Sequence, residues 1–272
     1  MTTQSQTGPA RKRRKSRVTK LVITLLVLVG LLVAADYGLA AAAEYQVAQK
    51  MRAKFELPED PSVRINHFPF ITQALAGDYR DIEISATGVP VRDQLRDLEI
   101  RANLYHVRIG LSDLLAGNTK NGKIDQVKGS VKIKASDLNR LVNQVTPFTD
   151  MAIEPDTRNE PPEGLGDTPR TTAAVKLSGN TTVAGTKVKI SAFGTVALVG
   201  GQVQVSITDV ELDDNALPGL SQLLAGVRQA LSIKIDPGAL PYTVTPTAVK
   251  VESGAFTVEG TADNIALDEG GR

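Results

Sequence analysis

Past Pro58 the chain alternates. Ile82, Ile84 and Ala86 are separated by Glu83 and Ser85; Val131, Ile133 and Ala135 by Lys132 and Lys134; Val188, Ile190 and Ala192 by Lys189 and Ser191; Val203, Val205 and Ile207 by Gln204 and Ser206. Successive side chains on a pleated strand point to opposite sides, so a period of two predicts strands with one buried and one wet face. Together these runs predict an antiparallel sheet with a single apolar side. Between residues 98 and 111 the alternation changes phase: Leu98, Ile100, Ala102 and Leu104 point one way, then Tyr105, Val107, Ile109 and Leu111 continue the apolar set. A one-residue phase change inside a long strand is what a β-bulge produces, and bulges bend sheets, so a long, curved strand is expected here.

Three segments carry helical spacing instead. Ser136 is positioned to cap a helix with Leu138, Leu141, Val142 and Val145 on one face. Leu217, Leu220, Leu224, Val227 and Leu231 share a face, with Ser221, Gln222, Arg228 and Gln229 opposite. Burying five such side chains is worth roughly 7 to 15 kcal/mol, so this helix is expected to lie on the sheet or on something equally apolar. A shorter helix is predicted around residues 71–75. ITQALAG at 71–77, SDLLAG at 112–117 and SQLLAG at 221–226 echo one another, with Gly as a natural helix C-cap. Duplication of a strand-plus-helix unit and coincidence both explain the echo. Gly200 and Gly201 read as a hairpin turn between two strands. Residues 146–172 hold Pro147, Pro155, Pro161, Pro162 and Pro169 with little periodicity. They are expected to form a flexible surface insertion between two halves of one sheet, a domain boundary being the alternative.

Ahead of this region stands a leader of a different kind. Arg11, Lys12, Arg13, Arg14, Lys15, Arg17 and Lys20 precede an uncharged apolar run over residues 21–35, and Asp36 is the first acid of the chain. Basic residues stay on the cytoplasmic side of an inserting helix, so the order places everything after Asp36 outside the cytoplasm. The expected organisation is a basic cytoplasmic tail at 1–17, a transmembrane signal-anchor helix at 18–43, and an extracytoplasmic domain at 44–268. The 15 uncharged residues cover roughly 22 Å, against a hydrocarbon core of roughly 30 Å. That length also fits the h-region of a signal peptide, with Ala41 to Ala43 as a cleavage site and a secreted product. Against cleavage, the helical pattern runs on through Val47, Met51 and Phe55 without a breaker until Pro58. The absence of cysteine excludes lipoprotein acylation, disulfides and thiol catalysis.

Charge and chemistry narrow the function. Setting aside the seven leader cations leaves 24 Lys+Arg against 30 Asp+Glu, a net charge of −6 on the outer part. Nucleic acid is therefore not an expected partner. The two histidines, His67 and His106, stand far apart in sequence, and no G-x-S-x-G or H-E-x-x-H motif accompanies them, so neither a hydrolase nor a metal centre is indicated. Asp213 and Asp214 read as turn residues before Asn215. No cofactor, metal or catalytic residue is called for, and an enzyme is not expected.

What the sequence offers instead is apolar surface. Val63, Ile65, Phe68, Pro69, Phe70 and Ile71 form the most hydrophobic stretch outside the leader. Phe68 and Phe70 fit either a strand-end core or the mouth of a lipid-sized groove. Here the chain resembles a known family: a basic leader, an apolar helix ending in Asp36, then V-R-I-N-H-F-P-F-I-T-Q-A-L-A-G-D-Y-R-D-I at 63–82. This is similar to the LmeA-like phospholipid-binding proteins of actinobacterial envelopes, the F-P-F-[LI]-T-Q-x-[LI]-x-G-x-[YF] stretch at 68–79 being the specific part. The resemblance implies an envelope protein that binds phospholipid, in a family whose characterised member takes part in lipoglycan maturation. It also implies an α+β fold, in which a highly curved antiparallel sheet wraps around amphipathic helices as in tubular lipid-binding proteins.

The combined expectation is a membrane-anchored, non-catalytic phospholipid-binding protein that holds acyl chains in an apolar trough. Phe68, Phe70, Ile71 and Leu75 are the expected lipid contacts, with Leu217, Leu220, Leu224 and Val227 as a helical wall. The competing expectation is an envelope scaffold or interaction module with a dry core, and an enzyme acting on envelope glycolipids comes after both.

Overall fold

The computed structural model describes residues 14–91, 95–118, 120–145, 149–158, 170–183, 186–200, 202–212, 225–226, 228–229, 232, 234–235 and 244–267. Helix α1 (Arg14–Phe55) runs unbroken for 42 residues, about 63 Å at 1.5 Å per residue. Its two halves differ. Leu21, Leu26 and Leu31 lie exposed, whereas from Asp36 onward a stripe of Asp36, Ala40, Ala43, Val47 and Met51 turns toward the rest of the protein at helical spacing. By length and composition α1 is able to cross a membrane, as either an anchor or a signal sequence would.

Beyond α1 the order is β1 (Ser62–Ile65), α2 (Phe70–Ala76), β2 (Asp78–Val91), β3 (Leu95–Arg108), α3 (Leu111–Ala116), β4 (Lys123–Lys134) and α4 (Ala135–Val145). Then come β5 (Thr149–Pro155), β6 (Thr172–Val183), β7 (Thr186–Val199), β8 (Gln202–Leu212), β9 (Lys234–Ile235), β10 (Thr245–Glu252) and β11 (Ala255–Ala266). The fold is α+β, and its strands form open antiparallel sheets, not a closed barrel. The expectation of one sheet needs correction. There are two: a six-stranded one in the order β1-β2-β3-β4-β11-β10 and a five-stranded one in the order β5-β6-β7-β8-β9.

The stretch expected to stay unpacked is corrected as well. Within 146–172, Thr149–Pro155 is strand β5, in which Met151 and Ile153 are buried and alternate with the less buried Asp150, Ala152 and Glu154. Asn139 of α4 holds it in place: its side-chain amide accepts from Met151 N at 2.6 Å and donates to Met151 O at 2.9 Å, pairing with the strand as another peptide would. Helix α4 starts at Ala135, one residue ahead of the anticipated cap. The expected hairpin is present, with Val199 paired to Gln202 and Gly200 at φ 59°.

The phase change read in β3 extends across four strands. Ile82, Leu104, Val127 and Ala262 face one core cluster from neighbouring strands, and so do Tyr79, Val107, Ile124 and Ile265, three positions away in each strand. Strict alternation would set the two rows on opposite faces. Two polar or outward residues separate them in every strand, and the intervening His106 and Asn264 take positive φ of 51° and 54°. Register holds because all four strands carry the extra residue together.

Two apolar clusters result. Leu98, Ile133, Met151, Ile153, Val249 and Phe256 join the inner faces of β6, β7 and β8 in a packed core where the sheets meet. The other lies at the opposite end of the six-stranded sheet, beneath the outer half of α1.

Candidate functional site

The outer half of α1 is built into the body through two carboxylates. Asp36 is only 4% exposed, and its oxygens accept backbone N–H groups from Phe70 at 2.8 Å and Ile71 at 2.8 Å, at the start of α2. Two turns on, Glu44 accepts Ile65 N at 2.7 Å and so satisfies the last residue of β1. These bonds answer donors that a helix start and a strand end would otherwise leave unpaired.

The F-P-F-I-T-Q-A-L-A-G stretch divides its labour by position. Phe70 is buried against Tyr79, ring centroids 6.3 Å apart. Gln73 is buried too: its amide donates to the carbonyls of Asn66 and His67, and its oxygen accepts Arg80 N at 3.0 Å. That one side chain ties the loop before α2 to the strand after it. Gly77 ends α2 at φ 64°, and Gly117 ends α3 at φ 73°, the left-handed cap that the shared Leu-Ala-Gly anticipates. Ile71 and Leu75, four residues apart, occupy the outward side of α2.

Between the three helices lies an apolar recess of about 310 Å³, lined by Leu39, Ala42, Ala43 and Gln46 of α1, Phe70, Ile71, Ala74 and Leu75 of α2, and Leu111 and Leu115 of α3. Among the described residues no charged side chain lines it. Phe70, Ile71 and Leu75 therefore sit together in its wall. Phe68 lies beside it, exposed and stacked on Tyr37 with ring centroids 5.8 Å apart and planes inclined by 19°. Leu217, Leu220, Leu224 and Val227, the anticipated helical wall, lie outside the described residues. The contributions of α1 and α3 escaped sequence reading, although Leu115 belongs to the S-D-L-L-A-G echo, and Leu111 stands just ahead of it, so the echo could have pointed to them.

A second opening, of about 500 Å³, lies at the seam of the sheets among Pro155, Arg170, Thr172, Thr195, Thr208 and Lys250. Its threonine hydroxyls and the cations Arg170 and Lys250 share the lining with Ala173, Ala174, Val249 and Val251, so its walls are mixed in polarity where those of the recess are mainly aliphatic. The histidines stand apart from both openings: His106 Nδ1 is 3.1 Å from the Asp78 carboxylate at the surface, and His67 is exposed. Among the described residues no three His, Asp or Glu gather as metal ligands. Such a site can shelter alkyl chains, and among the described residues no nucleophile or general base lines its cavity.

Comparison with known proteins agrees with this geometry. The model of a family described as LmeA-like phospholipid-binding matches residues 34–261, from just ahead of Asp36 through most of β11. No curated protein and no solved structure matches the chain.

Proposed function

Because the chain belongs to the LmeA-like phospholipid-binding family, we propose that it is a non-catalytic, membrane-anchored protein that holds a phospholipid acyl chain in the recess between α1, α2 and α3, on the extracytoplasmic side. The observation that carries this reading is the uncharged lining of the recess, placed where the apolar stretch of α1 ends. Each methylene taken out of water is worth about 0.8 kcal/mol. A bilayer already shelters those methylenes, so a binder needs a trough as dry as lipid, and aliphatic walls without charges supply one.

Retention of the leader is supported by what α1 does beyond it. Cleavage at residues 41–43 would remove Asp36, Tyr37 and Leu39, and with them the clamp on α2 and part of the recess wall. The cations at 11–20 favour a cytoplasmic N-terminus. A part in envelope lipid or lipoglycan maturation belongs to the same proposal and rests on the family alone.

The packed cluster between the sheets favours a second reading, a scaffold with a dry core. Native mass spectrometry of the full-length chain, released gently from its membrane, separates the two. Lipid binding predicts co-purifying phospholipid and uptake of a fluorescent analogue. A lipid-free protein that takes up none is the scaffold.

A further inference from the structure

Among the described residues beyond position 35, seven large apolar side chains lie exposed, and four of them, Tyr37, Leu39, Phe68 and Leu75, gather at one end of the body. Tyr37 stacks on Phe68, while Leu39 and Leu75 share the rim of the recess. Leu75 is 84% exposed, a costly arrangement for a leucine left in water. This end is also where the helix should leave the bilayer.

The lengths do not match. From Lys20 to Asp36 the helix rises about 24 Å at 1.5 Å per residue, roughly 6 Å less than a hydrocarbon core of about 30 Å. Some apolar element must fill the difference, or the bilayer must thin. Four more helical residues supply those ~6 Å and reach Ala40, past Leu39 and past Tyr37, on which Phe68 stacks.

We propose that this end of the body is sunk into the outer leaflet, with Tyr37, Leu39, Phe68 and Leu75 among the first acyl methylenes and the recess opening directly into lipid. The inference rests on the anchored, phospholipid-binding reading and gives it an entry route: an acyl chain passes sideways from the leaflet into the recess without crossing water. An acid at that depth is ordinarily expensive. Asp36 escapes the cost because both its oxygens already hold backbone N–H groups and the side chain is buried. Among the described residues the recess presents no cation, so the seating is apolar and does not depend on headgroup charge. Tyrosine suits the position, with a ring for the acyl boundary and a hydroxyl for the headgroups.

The chain lacks tryptophan, so one introduced indole reports its own surroundings. Full-length protein carrying Leu75→Trp is reconstituted into phosphatidylcholine vesicles with bromines on shallow acyl carbons; the site is exposed, so the fold tolerates the change. Phe55→Trp, about 28 Å beyond Asp36 along α1 by helical rise, is the comparison. Leu75→Trp should emit to the blue, be quenched several-fold more by bromolipid than Phe55→Trp, and be shielded from aqueous iodide. Water-like emission with free iodide access overturns the seating, as does seating that appears only with anionic lipid. Native mass spectrometry on the unsubstituted full-length chain, reconstituted in parallel because Leu75 itself lines the recess, keeps the two ideas apart. Bound phospholipid with a wet Leu75→Trp indole sinks the seating alone, and a submerged indole without bound phospholipid sinks the binding reading alone.

Discussion

Asp36 and Phe70 are thirty-four positions apart in the chain, yet the carboxylate of the first accepts the backbone N–H of the second at 2.8 Å, and its other oxygen takes Ile71 N at the same distance. The end of the apolar helix and the start of α2 are thereby one joint. Hydrogen bonds to a charged acceptor contribute ~1.5 to 3 kcal/mol, and a buried donor left without a partner costs more than its bond returned. Asp36→Ala should lower the stability of the body by about 2 to 4 kcal/mol, and Asp36→Asn by about half as much. Denaturant unfolding followed by circular dichroism measures the loss, and hydrogen exchange at Phe70 and Ile71 locates it. Unchanged exchange at those two amides would mean the joint is not held by this carboxylate.

Ala42 lies on the exposed rim of the recess, where a larger side chain meets open space before it meets the core. Ala42→Trp should fill the mouth and displace lipid without unfolding the protein. Excluding two methylenes at ~0.8 kcal/mol each amounts to about a tenfold loss of affinity. Titration with a fluorescent phospholipid reads it, with thermal unfolding as the control. Undiminished binding would move the site elsewhere.

Tyr79 is fully buried, and its hydroxyl finds no hydrogen-bond partner among the described residues. An unpaired hydroxyl in an apolar core opposes folding, so Tyr79→Phe should be neutral or stabilise by up to about 1 kcal/mol. Burial also pushes the phenol above its ordinary pKa of 10.0. Below that value both folded and unfolded forms keep the proton, and stability does not depend on it. Above pH 10 the unfolded chain releases the proton while the folded one retains it, so stability falls as pH rises. Tyr79→Phe should remove that share of the alkaline decline, measured as the difference between the two pH profiles of unfolding.

Gly194 sits at the register shift between β7 and β8, where an added Cβ would come to lie 2.2 Å from the carbonyl oxygen of Ser206 and 2.9 Å from Ile207 Cα. Backbone cannot yield as a side-chain tip does. Gly194→Ala should cost about 3 kcal/mol, seen as a lower denaturation midpoint. Gly200→Ala at the neighbouring hairpin, with nothing within 4 Å, carries only the strain of its φ of 59° and should cost less.

The parts of this structure legible in the sequence were those set by near neighbours. Alternation at Ile82, Val131, Val188 and Val203 marked real strands, and Leu-Ala-Gly marked real helix ends. Partition of the strands into two sheets was not legible, since it depends on which strands pair across long separations. β5 was hidden among the prolines at 147, 155, 161, 162 and 169, and what orders it, the Asn139 amide, comes from another element. Phe70, Ile71 and Leu75 stood out as an apolar run beside a family motif. Leu39 and Ala42 did not, because within an apolar helix nothing distinguishes a residue facing lipid from one facing a cavity. Asp36 was noticed as a boundary charge, but no local pattern shows that a carboxylate will be met by amides thirty-four residues on.

The row of paired outward residues through Arg80, His106, Asp125 and Asn264 couples the lengths of four strands. A single deletion in any one of them would leave one residue between its two buried rows, so that strand would run on without the kink and its distal half would fall one residue out of step with its three neighbours. Compensation would need matching deletions in all four at once. The sheet can therefore drift in sequence along this line, but its strands cannot shorten there one at a time.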